Sequence, residues 1–390
     1  MKVVVVAEYY PRAADPVLGI WAHRQALAAR DAGADVRVLV LHRPVPPRAA
    51  LAGRDRRALL APLRQPLRAE LDGLEVTYVP FLAPPRPRGY GRWGAWAAPA
   101  LGVALRRLRR RFAYDLVHAH YASPAGEAVR LARAGAPALV SVHGGDVLAT
   151  AQDSAAGHAA VRRALGAAAL TLANSRWTEA KARALGARST RVVHLGTDIP
   201  ADAPTGKGGG LTLVTVAHLV ARKRHADVLR ALWLLRDSHP TLRWVVVGDG
   251  PERPALERLA GELTLANRVE FRGALPPDAA VATAQSAGVF VLPSVDEAFG
   301  VAYVEAMAGG VPAIGCRGEG GPEEIAAAGG GMHLVPPGDP EVLARALAAL
   351  FDEPGYRREL GAAARATVAE HFTWERCGRE TVAAYAAALA

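Results

Sequence analysis

Pro293-Ser294-Val295-Asp296-Glu297-Ala298-Phe299-Gly300-Val301-Ala302-Tyr303-Val304-Glu305-Ala306-Met307-Ala308-Gly309-Gly310-Val311-Pro312 decides how this chain reads. The apolar run before it, Gly288 to Leu292, has the length of a buried parallel strand. Gly300 then opens an alanine-rich helical stretch that Gly309-Gly310 and Pro312 close. A strand, a tight turn and a helix N-terminus form an anion site, because unpaired backbone N–H groups and the helix dipole converge there. Two acids bracket that point, Glu297 in the loop and Glu305 on the helix. Two spaced acids alone describe any βα unit with solvated glutamates; the residues flanking them narrow the reading.

Acid, seven residues, acid, with Phe-Gly after the first acid and Glu-Ala-Met-Ala at the second, resembles the nucleotide-sugar motif of glycosyltransferase family 4. The resemblance implies an α/β chain of the GT-B fold, two doubly wound Rossmann-like domains facing across a cleft. It also implies transfer with retained anomeric configuration. By the same resemblance Glu297 contacts the donor sugar and Glu305 accepts the ribose hydroxyls, with Phe299, Gly300 and Val301 joining the donor site between them.

Length and composition agree with two domains. A chain of 390 residues exceeds one core by the rough ~150-residue prior. With 51% hydrophobic and 22% charged residues the composition is that of a soluble globular protein. Cys316 and Cys377 stand far apart, outside any metal-type spacing, so no disulfide framework is implied and a reducing compartment fits. The apolar start, Val3 to Ala7, is too short for a signal peptide and reads as a strand. The low-charge run Trp93 to Leu105 falls short of the ~20 residues that span a bilayer. A cytoplasmic location is therefore expected.

The net charge of +10 is carried largely by arginine, with clusters at Arg54 to Arg57 and Arg106 to Arg111. A basic chain can meet nucleic acid, anionic lipid or phosphorylated ligands. Zinc-finger spacing, RNA-binding aromatics and a basic zipper are all lacking, so nucleic acid is not expected. The second cluster ends a helical stretch from Trp96 to Phe112 whose apolar side reads Trp96, Leu101, Leu105 and Leu108. Two readings stand there. Arginines favour a helix C-terminus, and a basic amphipathic segment of the N-terminal domain also suits the anionic inner face of a membrane.

Strands are expected at Val3–Ala7, Val36–Leu41, Asp115–His120, Ala138–Val142, Leu170–Ala173 and Val192–His194. Helices fall between them, from about Val17 to Ala32 and from Arg176 to Leu185. The segment Arg43 to Arg92 reads as irregular with one strand at Val76–Pro80. His118, His120 and His143 fall at carboxyl ends of strands, where open α/β sheets bind ligands. No carboxylate or cysteine joins them at ligand spacing, so a metal site is not expected. His118-Ala119-His120-Tyr121, Ser123-Pro124-Ala125-Gly126 and His143-Gly144-Gly145-Asp146 resemble N-domain motifs of the family. The resemblance sets His143 beside the reacting sugar and leaving phosphate, with His120 and Asp146 as secondary candidates. It also brings Gly19, after the first strand, close to the donor diphosphate and acceptor, and gives acceptor recognition to the Arg43–Arg92 segment.

Residues 1–200 read as the N-terminal, acceptor-side domain, 201–210 as a glycine-rich linker and 211–372 as the nucleotide-sugar domain. The last helix, 373–390, resembles one that returns to the first domain. After the strand Leu211–Val216 the family reads Gly-Arg-Leu, two residues, Lys-Gly, with arginine and lysine on the diphosphate. This chain keeps the lysine as Lys223 but has His218 for the arginine and Arg224 for the glycine. A neutral imidazole lacks the bidentate fork of a guanidinium, which leaves Arg222 to supply the second charge. Gly248-Asp249-Gly250 with Glu270 imitates a dinucleotide fingerprint, but Arg253 replaces the third glycine, so NAD is disfavoured. By the same resemblance Arg272 to Leu275 would offer backbone groups to the base, and Glu324 lies in a stretch that resembles the family's Gly-Gly-Pro-any-Glu-Ile segment beside the sugar. Asp339 caps a helix that starts with Pro340.

No cofactor is expected beyond the nucleotide diphosphate sugar itself, and no Asp-any-Asp pair is present to hold a metal. Lys223, His218 or Arg222, and the helix N-terminus after Gly300 are the groups that would neutralise the leaving diphosphate. The acceptor is a hydroxyl, a lipid-linked one included. Glu8 to Trp21 with the His118–Tyr121 motif resembles members that build cell-surface polysaccharides. A nucleotide-sugar epimerase and a non-catalytic partner subunit remain the alternatives.

Overall fold

The four valines Val3 to Val6 are completely buried, because a strand covered by helices on both faces has no solvent side. They form the centre of the first of two sheets in a computed structural model that describes residues 1–46, 59–86, 89–201 and 211–390. Arg54 to Arg57 and most of the 201–210 linker lie outside the described residues.

The chain divides into two compact units, Met1–His194 with Trp374–Ala390, and Leu195–Thr373. The first division falls earlier than the expected boundary near residue 200. The backbone explains it: Thr197 N–H bonds to the Phe372 carbonyl (2.9 Å) and Arg365 to that of Pro200 (2.6 Å), which ties 195–200 to the second unit.

The first unit carries an eight-stranded sheet built from β1 (Lys2–Ala7), β2 (Asp35–His42), β3 (Arg68–Leu71), β4 (Leu74–Pro80), β5 (Leu116–His120), β6 (Ala138–Val142), β7 (Leu170–Ala173) and β8 (Thr190–Val192). Their spatial order is β3-β4-β2-β1-β5-β6-β7-β8, parallel except for β3. The helix Trp374–Leu389 belongs to this unit and packs on the helix Ile20–Asp31. Gly378 allows the approach, since a Cβ there would lie 2.1 Å from the Ala28 carbonyl oxygen.

The second unit has six parallel strands, β9 (Thr212–Val216), β10 (Arg243–Val247), β11 (Val269–Gly273), β12 (Val289–Val291), β13 (Ala313–Cys316) and β14 (Met332–Val335), ordered β11-β10-β9-β12-β13-β14. Asp339 caps the helix Pro340–Asp352 by accepting the Val342 N–H (2.9 Å).

Both sheets are doubly wound. The chain builds outward on one side and then returns to build on the other, so the switch lies between β1 and β5 in the first unit and between β9 and β12 in the second. Crevices at the carboxyl ends of such strand pairs are where open α/β sheets bind ligands.

Two expectations need correction. The segment 43–92 holds an antiparallel hairpin, β3 with β4, turning at Asp72-Gly73 with φ of 49° and 78°. That Asp-Gly turn favours two left-handed residues, and the arginines and prolines around it masked the signal. The helix runs Trp93–Arg109, buries Trp93 and turns Trp96 to solvent at 53% exposure. A nearly unbroken apolar run carries little periodicity to say which side faces in.

Candidate active site

In the second unit the segments after β9 and β12 interlock at the switch point. Val295 N–H bonds to the Arg222 carbonyl (2.9 Å), and the Arg222 guanidinium returns a bond to the Asp296 carbonyl (3.3 Å). This brings two residues far apart in sequence into contact, the Lys223 ammonium donating to Glu297 Oε2. The Ser294 hydroxyl donates to the same oxygen (2.8 Å), and Arg222 Nη1 stands 3.9 Å from it. The Tyr303 hydroxyl, in reach of Ser294 Oγ (3.3 Å), donates to the Leu292 carbonyl and fixes the floor of the loop.

Burial works to raise the Glu297 carboxyl, but Lys223, Arg222 and the Ser294 hydroxyl outweigh it and hold the acid below its usual range. Burial pulls Lys223 down, and Glu297 opposes that pull. The two form a nearly buried ion pair. Lys223 and Glu297 therefore neutralise each other across the two segments.

Gly300 caps the helix Val301–Ala308 in the left-handed region (φ 86°), where a Cβ would strike the Tyr303 ring at 2.4 Å. Glu305 lies half-buried on that helix, its carbonyl accepting from Gln285 Nε2 (3.1 Å). The Phe299 side chain is buried, so only its backbone is left to join the donor site it was assigned to. Its ring is 1% exposed and packs edge-on against Phe372 at 5.6 Å. The Arg272 guanidinium is forked on Glu270 (2.9 and 3.1 Å) at the surface, while Leu275 and Glu324 are half-buried on the loop after β11 and the helix Gly320–Ala328. His218 is exposed after β9. Arg224, where the family pattern has glycine, takes the left-handed conformation (φ 54°) and pairs with Asp227 (2.6 Å).

In the first unit the switch point gathers histidines and aromatic rings. His143 stacks on His120 at 5.2 Å, and His143 Nε2 meets His120 Nδ1 at 3.0 Å. Tyr121 and Trp21 flank His143 at 5.5 and 6.2 Å. Burial lowers the His143 pKa to about 3 and that of His120 well below its usual value, so both are neutral at pH 7. His143 Nδ1 and His120 Nε2 are buried without a protein partner. His118 turns away to Tyr385 (2.8 Å) and Ser141 (2.7 Å), a bracing role for the last helix. Among the described residues no three His, Cys, Asp or Glu side chains are grouped to hold a metal ion.

Asp146 accepts the backbone N–H groups of Ala122 (3.0 Å), His143 and Val147 (3.2 Å each), stapling the loops after β5 and β6. Burial nevertheless pushes it up to about 6. Gly19 has an internal reason for being glycine: φ is 67° and a Cβ would lie 2.1 Å from the Tyr9 carbonyl carbon.

Sequence reasoning missed the acid at the end of β1. Glu8 is buried, with one oxygen on Arg86 (2.7 Å) and the other on the Tyr90 hydroxyl (2.7 Å), while Arg86 lies 3.8 Å over the Tyr90 ring. A carboxylate directly after a central valine strand is the signal that could have found it. Ser294, Tyr303 and Glu319 were missed in the second unit, where nothing local marks them.

Comparison with known proteins agrees with both halves. The family model described as "Glycosyl transferase 4-like domain" matches residues 19–196, and "Glycosyl transferases group 1" matches 202–367. The chain is 32% identical over 314 residues to D-inositol 3-phosphate glycosyltransferase of Acidothermus cellulolyticus, covering 71% of this chain and 68% of that protein. It is 27% identical over 95% of both chains to the putative teichuronic acid biosynthesis glycosyltransferase TuaC of Bacillus subtilis. The match to the Streptomyces griseus D-inositol 3-phosphate glycosyltransferase spans less than half, 44%, of that protein. Among solved structures, sucrose-phosphate synthase of Thermosynechococcus elongatus superposes over 99% of this chain and 98% of its own, with a TM-score of 0.79 at 22% identity. HepE of Anabaena, in complex with UDP, does so over 99% and 100% with a TM-score of 0.74 at 19%. The fold is GT-B.

Proposed function

Because this chain belongs to glycosyltransferase family 4, we propose that it transfers a hexosyl group from a nucleotide diphosphate sugar to an acceptor hydroxyl, in surface polysaccharide or glycolipid synthesis. Anomeric configuration is retained and no metal is used. The observation that carries this reading is the Lys223–Glu297 pair beside the helix N-terminus after Gly300. A diphosphate there gains the N–H groups and dipole of the helix, the remaining protons of Lys223 and the half-exposed Arg222 guanidinium. These groups offset the leaving-group charge without a divalent cation. Glu297 serves at the sugar, Glu305 at the ribose, and Arg272 to Leu275 at the base through their backbone.

In the first unit neutral His143 supplies a hydrogen bond, rather than a charge, to the reacting sugar or phosphate. His120 and Asp146 hold it. The acceptor enters beside Glu8 and the rings of Tyr9, Trp21 and Tyr121, which suit a sugar face.

No helix among the described residues is long and apolar enough to cross a membrane. The exposed Trp96 and Val103, continued by Arg106, Arg107 and Arg110, suit peripheral contact with anionic lipid on the cytoplasmic side, and a lipid-linked acceptor would be met there. Co-sedimentation with vesicles containing anionic lipid, lost in Trp96→Ser/Arg107→Ser, tests that part.

The test of the reaction is a panel of UDP- and GDP-sugars followed by nucleotide release and sugar analysis, with and without EDTA. Release of nucleoside diphosphate and free or transferred sugar, unaffected by chelator, is expected. An epimerised donor recovered intact, or activity restored only by Mg²⁺, overturns it.

A further inference from the structure

Between β12 and the helix Val301–Ala308 the chain has no regular structure, and two of its residues, Asp296 (φ 53°) and Gly300 (φ 86°), are left-handed. A loop of that kind does not hold its own shape. Arg222 holds it at Val295 and Asp296, and the segment after β13 holds it at Glu297. Glu319 Oε2 accepts the Glu297 backbone N–H (3.0 Å), and the Gly321 N–H donates to the Glu297 carbonyl (3.1 Å). The peptide groups on both sides of the Glu297 Cα are thus tied to one neighbouring segment. The contact is close: a Cβ on Gly321 would stand 2.1 Å from the Phe299 carbonyl oxygen.

We infer that Glu319 is a positioning residue for Glu297, which fixes the backbone from which the Glu297 carboxylate reaches Lys223 and the donor sugar. This rests on the donor-site reading above. Glu319 makes this bond at an electrostatic cost. Burial and the neighbouring acids Asp296 and Glu297 raise its pKa, whereas the amides of Glu297 and Asp296 facing it lower it. A third acid set among two others is disfavoured unless its amide bonds offset the repulsion. Displacing a reacting group by about 1 Å costs on the order of a hundredfold in rate, so a tether on this backbone governs turnover more than binding.

The experiment compares Glu319→Ala and Glu319→Gln with the natural chain. Amide hydrogen exchange over 294–300 is read by mass spectrometry, alongside donor kcat and KM and the dissociation constant for UDP or GDP. In Glu319→Ala, exchange should quicken and kcat should fall, each by about tenfold or more, while nucleoside diphosphate affinity stays within about twofold. Glu319→Gln, whose amide oxygen still accepts an N–H, should recover most of both. Unchanged exchange in Glu319→Ala overturns the inference. So does a loss of nucleotide affinity that matches the loss of kcat, which marks collapse of the whole site, and so does a Gln variant as impaired as the Ala variant. If the natural chain turns over no nucleotide sugar, the transfer reading fails on its own and the exchange measurement alone decides the role of Glu319.

Discussion

The first unit buries two imidazoles at the carboxyl end of its sheet, stacks the half-buried His143 on one of them and keeps all three neutral, whereas the second buries an ammonium and a carboxylate at the equivalent position and keeps both charged. Both places are switch points of doubly wound sheets, so topology alone does not explain the contrast. Desolvation does. An imidazole can shed its charge and live in a ring stack, but a buried charge pair persists only where each partner holds the other. The unit that retains charge is suited to a charged ligand. The histidine stack of the first unit offers directed hydrogen bonds and ring faces instead, with the Glu8–Arg86 pair as the charged exception in that unit.

Breaking the pair should give the largest effect. Lys223→Ala leaves Glu297 buried without its partner and should cost ~3–5 kcal/mol in urea unfolding of the second unit. The double variant Lys223→Met/Glu297→Leu should lose much less. Nucleoside diphosphate binding in Lys223→Ala should weaken by ~1.5–3 kcal/mol, the range of a charge-assisted hydrogen bond. Equal stability of the two variants would show that the pair is not held as an ion pair.

Acid should expose the other side of the contrast. His118 and His143 have folded values of about 3, far below an ordinary imidazole, so between that value and ~6.5 the unfolded chain binds protons that the folded chain refuses. Their stabilisation is present above ~6.5 and is lost as pH falls towards 3, at ~1.4 kcal/mol per pH unit for each histidine. Asp146 acts in the opposite sense: raised from 3.8 to about 6, it favours the fold at low pH and loses that contribution as pH rises through 6. The first unit should therefore lose stability from pH 6.5 to 4.5, and His118→Gln should flatten the slope by about one histidine's share. Denaturant melts at three pH values give the slopes; equal slopes would mean that His118 takes up its proton as readily in the fold as in the unfolded chain.

How much of this was legible follows from the range of each signal. Strand positions were readable because valine runs between glycines and prolines are local, and β6 and β7 begin and end where the residues suggested. The Glu297–Glu305 spacing was readable for the same reason. Lys223 with Glu297, Glu8 with Arg86 and Glu297 with Glu319 were not, since each contact joins separate crossovers and leaves no periodic mark. Phe299 looked like a site residue because of its neighbours; its ring went to the core because a phenyl group gains more from burial beside Phe372 than from an aqueous loop. The Asp72-Gly73 turn was legible and was overlooked.

The smallest effects should come from the surface of the charged site. His218→Arg restores the family's guanidinium at an exposed position and should tighten nucleoside diphosphate binding by up to ~1 kcal/mol or leave it unchanged. A large loss would mean that His218 has a role in this chain that the family pattern does not describe.

The central claim is that the second unit's acids divide the donor between them, Glu305 at the ribose and Glu297 at the sugar. Calorimetric titration of UDP and GDP into Glu297→Gln and Glu305→Gln, with initial rates for both, tests it most directly. Glu305→Gln should weaken nucleoside diphosphate and donor alike. Glu297→Gln frees Lys223 of its partner, so it should keep or improve nucleoside diphosphate affinity while turnover falls tenfold or more, at least ~1.4 kcal/mol of transition-state stabilisation. Equal losses of nucleotide affinity with turnover intact in both variants would contradict the account and reduce the two acids to structural parts of one βα unit.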